Sequence, residues 1–236
     1  MTRLSGFTQF EEVGAGYTFF CSGHLERRAH HAMVGFAIRS SLLKTLQSMP
    51  CGMSQRLMKV GINLEGEHAA TLFSCYAPTL AAMQEDKELF YEQLNPAMEA
   101  VPYKHKLFVL GNFTARVGWD YKVWSKVIGR RGIGGENANG SMLLDLCVKH
   151  NMMVANTVFQ QANKYKASWM HPHSHHWHLI DYILTRQHDL RDIRLTCMMC
   201  PTSMWSDHRM VCTTILLAAK PAKRVHRAAP FKKLDV

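Results

Sequence analysis

Residues 106–114 read Lys-Leu-Phe-Val-Leu-Gly-Asn-Phe-Thr. Lys106 to Gly111 is a short apolar run of strand length, and it ends in a polar cluster at Asn112 and Thr114. Three other places repeat this pattern: Tyr76-Ala77-Pro78, Ile180-Asp181-Tyr182 and Ser206-Asp207-His208-Arg209. Together they offer one Tyr, one Asn, two Asp and one His at predicted strand ends. Converged on one point, such a set suits work on a phosphodiester, with Asp orienting His and the imidazolium stabilising charge that develops on phosphorus.

Outward from there, Gly16 to Ser22, Met33 to Arg39, Leu57 to Leu64 and Ala70 to Tyr76 read as strands, the last two joined by Glu65-Gly66-Glu67. Residues 1–16 are polar and Gly-rich and read as loop. Met83 to Val101 is an amphipathic helix with Phe90, Leu94, Met98 and Val101 on one stripe. Pro96 lies inside it, where a proline costs about 3 kcal/mol unless the helix ends there. Ser141 to His150 is a second helix, entered through Asn139-Gly140. Met152 to Ala155, Leu179 to Thr185, Asp192 to Thr196 and Met210 to Leu217 complete the strands. Many strands with few helices predict α/β layers around paired sheets. The domain is expected over 1–218, with a basic tail over 219–236.

The 236 residues carry 28 Lys and Arg against 18 Asp and Glu, a net charge of +10. Such an excess favours polyanions, nucleic acid first, and does not by itself choose between DNA and RNA. No apolar run reaches membrane-span length, so no membrane partner is expected. The opening MTRLSGFTQFEE lacks the apolar centre of a signal peptide. Seven scattered Cys fit a reducing compartment, hence an intracellular location, nucleus or cytoplasm. Cys197-Met-Met-Cys200 has zinc-like spacing but no second Cys pair follows, and His171, His173, His175, His176 and His178 read as unrelated histidines in a loop. The run from Lys220 to Lys233 reads as a nuclear signal, a phosphate clamp or a solvated tail.

The ordered strings GYTFF, GFAIRSSLL, SCYAPTL, LGNFTARVGWD, ENANGSMLL, SWMHPHSHHWHLIDYIL and WSDHRMV resemble the endonuclease/exonuclease/phosphatase (DNase I-like) family, and more closely the endonuclease domain of RTE-type LINE retrotransposons. The resemblance runs from about Thr2 to Leu217. It implies a four-layered α/β sandwich, two packed mixed β-sheets flanked by helices, here N-terminally truncated. It implies that Tyr76 contacts the scissile phosphate, that Asp181 holds the catalytic His208, and that Asp207 stands near a Mg²⁺ ion as a weak ligand. Asn139, Ser168, Trp169 and Arg209 are then expected on the nucleic-acid side.

Three departures qualify the resemblance. The family reads Gly-Asp-Phe-Asn where this chain has Gly111-Asn112-Phe113-Thr114, so Asn112 and Thr114 replace the water-activating aspartate and its positioning asparagine. Relatives also carry a metal-binding Glu before a Thr-Arg string, and here Met1 precedes Thr2-Arg3. Mg²⁺ wants anionic oxygens, so binding is expected to be weak. Three readings stay open: a Mg²⁺-dependent DNA endonuclease with a degraded site, a catalytically silent nucleic-acid-binding module, and a relic without a molecular role.

Overall fold

The structure, a computed structural model, describes residues 7–12, 16–23, 33–66, 68–199 and 206–218. The strands are β1 (Phe7–Glu12), β2 (Tyr17–Gly23), β3 (Met33–Arg39), β4 (Leu46–Ser54), β5 (Leu57–Asn63), β6 (Ala69–Tyr76), β7 (Lys106–Asn112), β8 (Met152–Val154), β9 (Trp169–Met170), β10 (Trp177–His178), β11 (Asp181–Arg186), β12 (Ile193–Met198) and β13 (Val211–Ile215). The helices are α1 (Gln84–Glu99) and α2 (Ala138–Lys149).

A six-stranded mixed sheet in the order β4-β5-β6-β7-β11-β8 forms the centre. Among the described strands its parallel pair is β6 and β7, and a parallel pair needs a long crossover. That crossover contains α1. Side chains alternate across a strand. Phe73 and Cys75 of β6, Leu107 and Val109 of β7, and Tyr182 and Leu184 of β11 face one way, into a core shared with Phe90, Leu94 and Met98 of α1 and Leu143, Leu144 and Cys147 of α2. The other face packs Ala70, Phe108 and Ile183 against Ile193 and Ile215, from β12 and β13. Further along that face, Met58 and Tyr76 meet Phe20 and Val34 of the three-stranded sheet β1-β2-β3.

The expected α/β class with mixed sheets is therefore present, and the second layer comes in two pieces among the described residues. One expectation fails: residues 7–12, read as loop, pair residue for residue with β2. β4 had no sequence signal at all. It is an edge strand with three register irregularities and Pro50 inside it, and an edge is where a strand tolerates proline. Pro96 falls in the last turn of α1, which runs three residues further before ending. The basic tail expected over 219–236 lies outside the described residues, as does Cys200.

Candidate active site

Tyr76 pairs with Asn112 across β6 and β7, and Asn112 pairs with Asp181 across β7 and β11. Three residues from distant parts of the chain thus share one rung of the sheet. Strand alternation turns all three to the face away from the helices. Gly111 makes the rung possible. It lies opposite Cys75 at φ +152, and a Cβ there would sit 1.9 Å from the Cys75 carbonyl oxygen. Any side chain would push β6 and β7 apart at the residue before Asn112.

Beyond β7 the chain is pinned by the buried Phe113 and turns at Thr114, whose φ is +45. The Thr114 N–H donates to Asn112 Oδ1 at 2.8 Å, and the Thr114 hydroxyl donates to the Pro78 carbonyl at 2.5 Å. Asn139 Nδ2 reaches the Pro78 carbonyl, the Thr114 carbonyl and the Thr114 hydroxyl at 3.1–3.2 Å. Thr114 and Asn139 therefore tie the ends of β6, β7 and α2 together. The Oδ1 of Asn139 is buried with no partner among the described residues.

His208 sits in the loop residues 206–210 that lead into β13. Its Nδ1 donates to Asp181 Oδ2 at 3.1 Å. This bond, with Asp207 close by, holds the imidazole above its ordinary pKa against the opposing effect of burial. The loop is fixed by strand-like pairing to β9: Trp169 lies opposite His208, Met170 N–H donates to the Asp207 carbonyl, and Arg209 N–H donates to the Ser168 carbonyl. The buried Ser168 hydroxyl accepts from the N–H groups of Ile180 and Asp181, both at 3.2 Å, and so locks β9 to the start of β11. The Arg209 guanidinium lies 3.4 Å over the Trp177 ring and donates to the Lys164 carbonyl at 2.8 Å. It is engaged within the fold.

These residues border a cavity of about 510 Å³ lined by Tyr76, Asn112, Thr114, Trp169 and His208 of the expected set. Asp181 lies behind His208, in the wall of an adjoining hollow of about 320 Å³ that Asn112 and His208 also line. A larger hollow of about 760 Å³, between the C-terminal ends of α1 and α2, holds none of the set. Among the cleft residues that the sequence reading did not assign are Arg116, Asn137, His171 and His178. No periodic signal marks the two histidines, because the β9–β10 ribbon is two residues a side. His178 faces Trp169 across β9 and β10. The Trp169 ring centroid lies 5.4, 6.0 and 6.3 Å from those of His171, His178 and His208. Burial, Arg116 and neighbouring imidazoles hold His178 below its ordinary pKa.

Arg116 is held from both sides. Its neighbours Ala115 and Val117 are buried, and both hydrogen-bond to the hydroxyl of the buried Tyr182. Asn137, the N-cap of α2, accepts from the N–H of Gly140 at 2.8 Å and from that of Arg116 at 2.9 Å through one oxygen. Gly140 lets α2 approach, since a Cβ there would lie 1.9 Å from the Arg116 carbonyl.

The resemblance implies Mg²⁺, and the donors among the described residues do not fit it. Asp207 accepts from the Trp169 indole at 2.8 Å, Asp181 from His208, and Glu136 from Trp124 and Ser141. No group of three or more His, Cys, Asp or Glu among the described residues is placed to hold a metal ion. What lines the cavity is amides, hydroxyls, imidazoles and the Arg116 guanidinium, with no carboxylate among them, a poor set for a hard cation that wants anionic oxygens.

The layered mixed sheets with their flanking helices have an endonuclease/exonuclease/phosphatase (DNase I-like) fold. Solved structures agree. The endonuclease domain of TRAS1, a telomere-specific non-LTR retrotransposon, superposes with a TM-score of 0.59 at 15% identity, over 89% of this chain and 84% of that one. An AP endonuclease of Leishmania major gives 0.55 at 14%, over 88% and 72%. A Neisseria 3′ phosphatase bound to a product DNA hairpin gives 0.54 at 14%, over 84% and 79%. No family model matches the chain. In sequence it is similar to craniofacial development protein 2 of Bos taurus, 26% identical over 97% of this chain, and to that of Tragulus javanicus, also 26% over 97%. The chain spans 38% and 40% of those relatives' lengths.

Proposed function

We propose that this domain binds nucleic acid, DNA in the first place, on the cleft of a retrotransposon-type nuclease fold without hydrolysing it. One observation carries the reading: in the rung of Tyr76, Asn112 and Asp181, the central residue is an amide. A neutral amide takes no proton from water and adds no charge for a cation. The +10 net charge supports a polyanionic partner, and so does the neighbour solved on a DNA hairpin.

The chain's own residues divide the work as follows. Tyr76 and His208 approach a phosphate from two walls of the cleft. Asp181 keeps His208 oriented and favours its protonated form. Trp169 offers a flat face beside them.

A second reading rests on the intact Asp181–His208 pair: residual Mg²⁺-assisted endonuclease activity, reduced about 10²–10⁴-fold by loss of the base. Fluorescence anisotropy of a labelled duplex, followed by gel analysis of the same duplex, separates the two. The proposal expects log affinity to fall linearly with log salt, with a slope of about −0.9 per phosphate neutralised, and intact DNA on the gel. Shortened DNA, or no binding at about 50 mM salt, would overturn it.

A further inference from the structure

Four features of the cleft point the same way. The first is the orientation of Asn112. Its Oδ1 accepts from the Thr114 N–H, so the amide cannot be reversed without setting donor against donor. Its Nδ2, with no protein partner among the described residues, is the end left for the cleft. An aspartate at this position would turn a second oxygen there, and the asparagine turns a donor. The second is Arg116, which lines the cleft and takes part in none of the ion pairs among the described residues. The third is composition: no Asp or Glu is among the residues lining the 510 Å³ cavity, whereas His171, His178 and His208 are. The fourth is α2, which begins at the cleft wall with Asn137 and brings the positive end of its dipole.

A metal-assisted phosphate site shows oxygens to the cation and lets the cation meet the phosphate. Here the polarity is reversed. We infer that the cleft holds a phosphate group directly, through Arg116, the Asn112 amide and the facing imidazoles, with no divalent cation between protein and ligand. This rests on the binding role proposed above and specifies its chemistry. Arg116 is the main anchor, since a guanidinium grips a phosphate with two parallel N–H donors. Asn137 is a positioning residue that acts through the Arg116 backbone.

The test uses the whole chain with two probes, a labelled DNA duplex and inorganic phosphate, each in excess EDTA and in excess Mg²⁺. Duplex binding followed by anisotropy is expected to be as tight in EDTA as in Mg²⁺, and phosphate is expected to broaden in ³¹P NMR and to compete. Arg116→Gln and Asn112→Asp should each weaken both about tenfold in EDTA, the size of one charge-assisted hydrogen bond lost. Arg194→Gln, on the exposed side of β12, removes the same charge as a control and should change little. Asn112→Asp keeps the acceptor for Thr114, so it tests the cleft even if Arg116→Gln fails to fold by circular dichroism. Duplex binding that requires Mg²⁺, or that ignores both cleft substitutions, overturns the inference and leaves the DNA reading standing. Phosphate binding without duplex binding supports the inference and overturns the DNA reading. Binding of neither probe overturns both.

Discussion

At Asn112 the backbone decides what the side chain can say. The Thr114 N–H claims the one acceptor, which leaves the donor end as the free one in a residue that lines the cleft. Nothing in the string GNFT announces this; the sequence shows only that an aspartate is replaced, not which way its replacement faces. His208 is the opposite case: the strand-end pattern offered an aspartate to orient it, the resemblance pointed to Asp181, and Asp181 is the residue it bonds. Asp181 Oδ2 at 3.1 Å raises the imidazole pKa above its ordinary value near 6.5. A group whose pKa is higher folded than unfolded stabilises the fold fully below the unfolded value. That contribution fades as pH rises through the folded value. In Asp181→Asn the His208 pKa, read from ring-proton shifts in NMR, should fall, and this part of the pH–stability curve should flatten. An unchanged His208 titration would show that the pair is not coupled.

At the scale of elements, the site depends on two close approaches. Gly111→Ala places a methyl 1.9 Å from a β6 carbonyl, so β6 and β7 must separate and the Tyr76–Asn112 rung opens. Denaturant unfolding should show a loss of at least about 2 kcal/mol, in the range of overpacked cores; a loss below about 0.5 kcal/mol would mean the strands are not so tightly opposed. Asn137→Ala removes the cap of α2 and should cost about 1 kcal/mol in the same measurement. It also frees the Arg116 backbone, so duplex affinity should drop with it; capping loss with undiminished affinity would separate the helix from the cleft. β6, β7 and β11 were legible because each is apolar and covered on both sides. β4 was not, because Ser, Gly and Pro50 on an exposed edge carry no alternation. β1 was not, because its signal lies in pairing with β2 rather than in its own composition. The β9 and β10 ribbon is two residues a side, too short for any periodicity, and so His171 and His178 went unassigned.

For the whole molecule, the order of seven short strings was enough to find the architecture, because topology fixes where strand ends meet. Arg116, by contrast, reaches the cleft only through contacts with Tyr182 and Asn137, far away in sequence. Net charge was legible at once and belongs to this scale, since it governs the salt dependence of any polyanion contact. The curated relatives are more than twice as long as this chain, and the surface described here is one portion of what such a protein presents.

The most direct measurement is nicking of a supercoiled plasmid by the 236-residue chain in Mg²⁺, beside His208→Ala. The expected result is that both leave the plasmid supercoiled while the unsubstituted chain still retards it on a gel. Nicking by the chain that disappears in His208→Ala would contradict the account, because water would then be activated in a cleft from which Asn112 takes no proton.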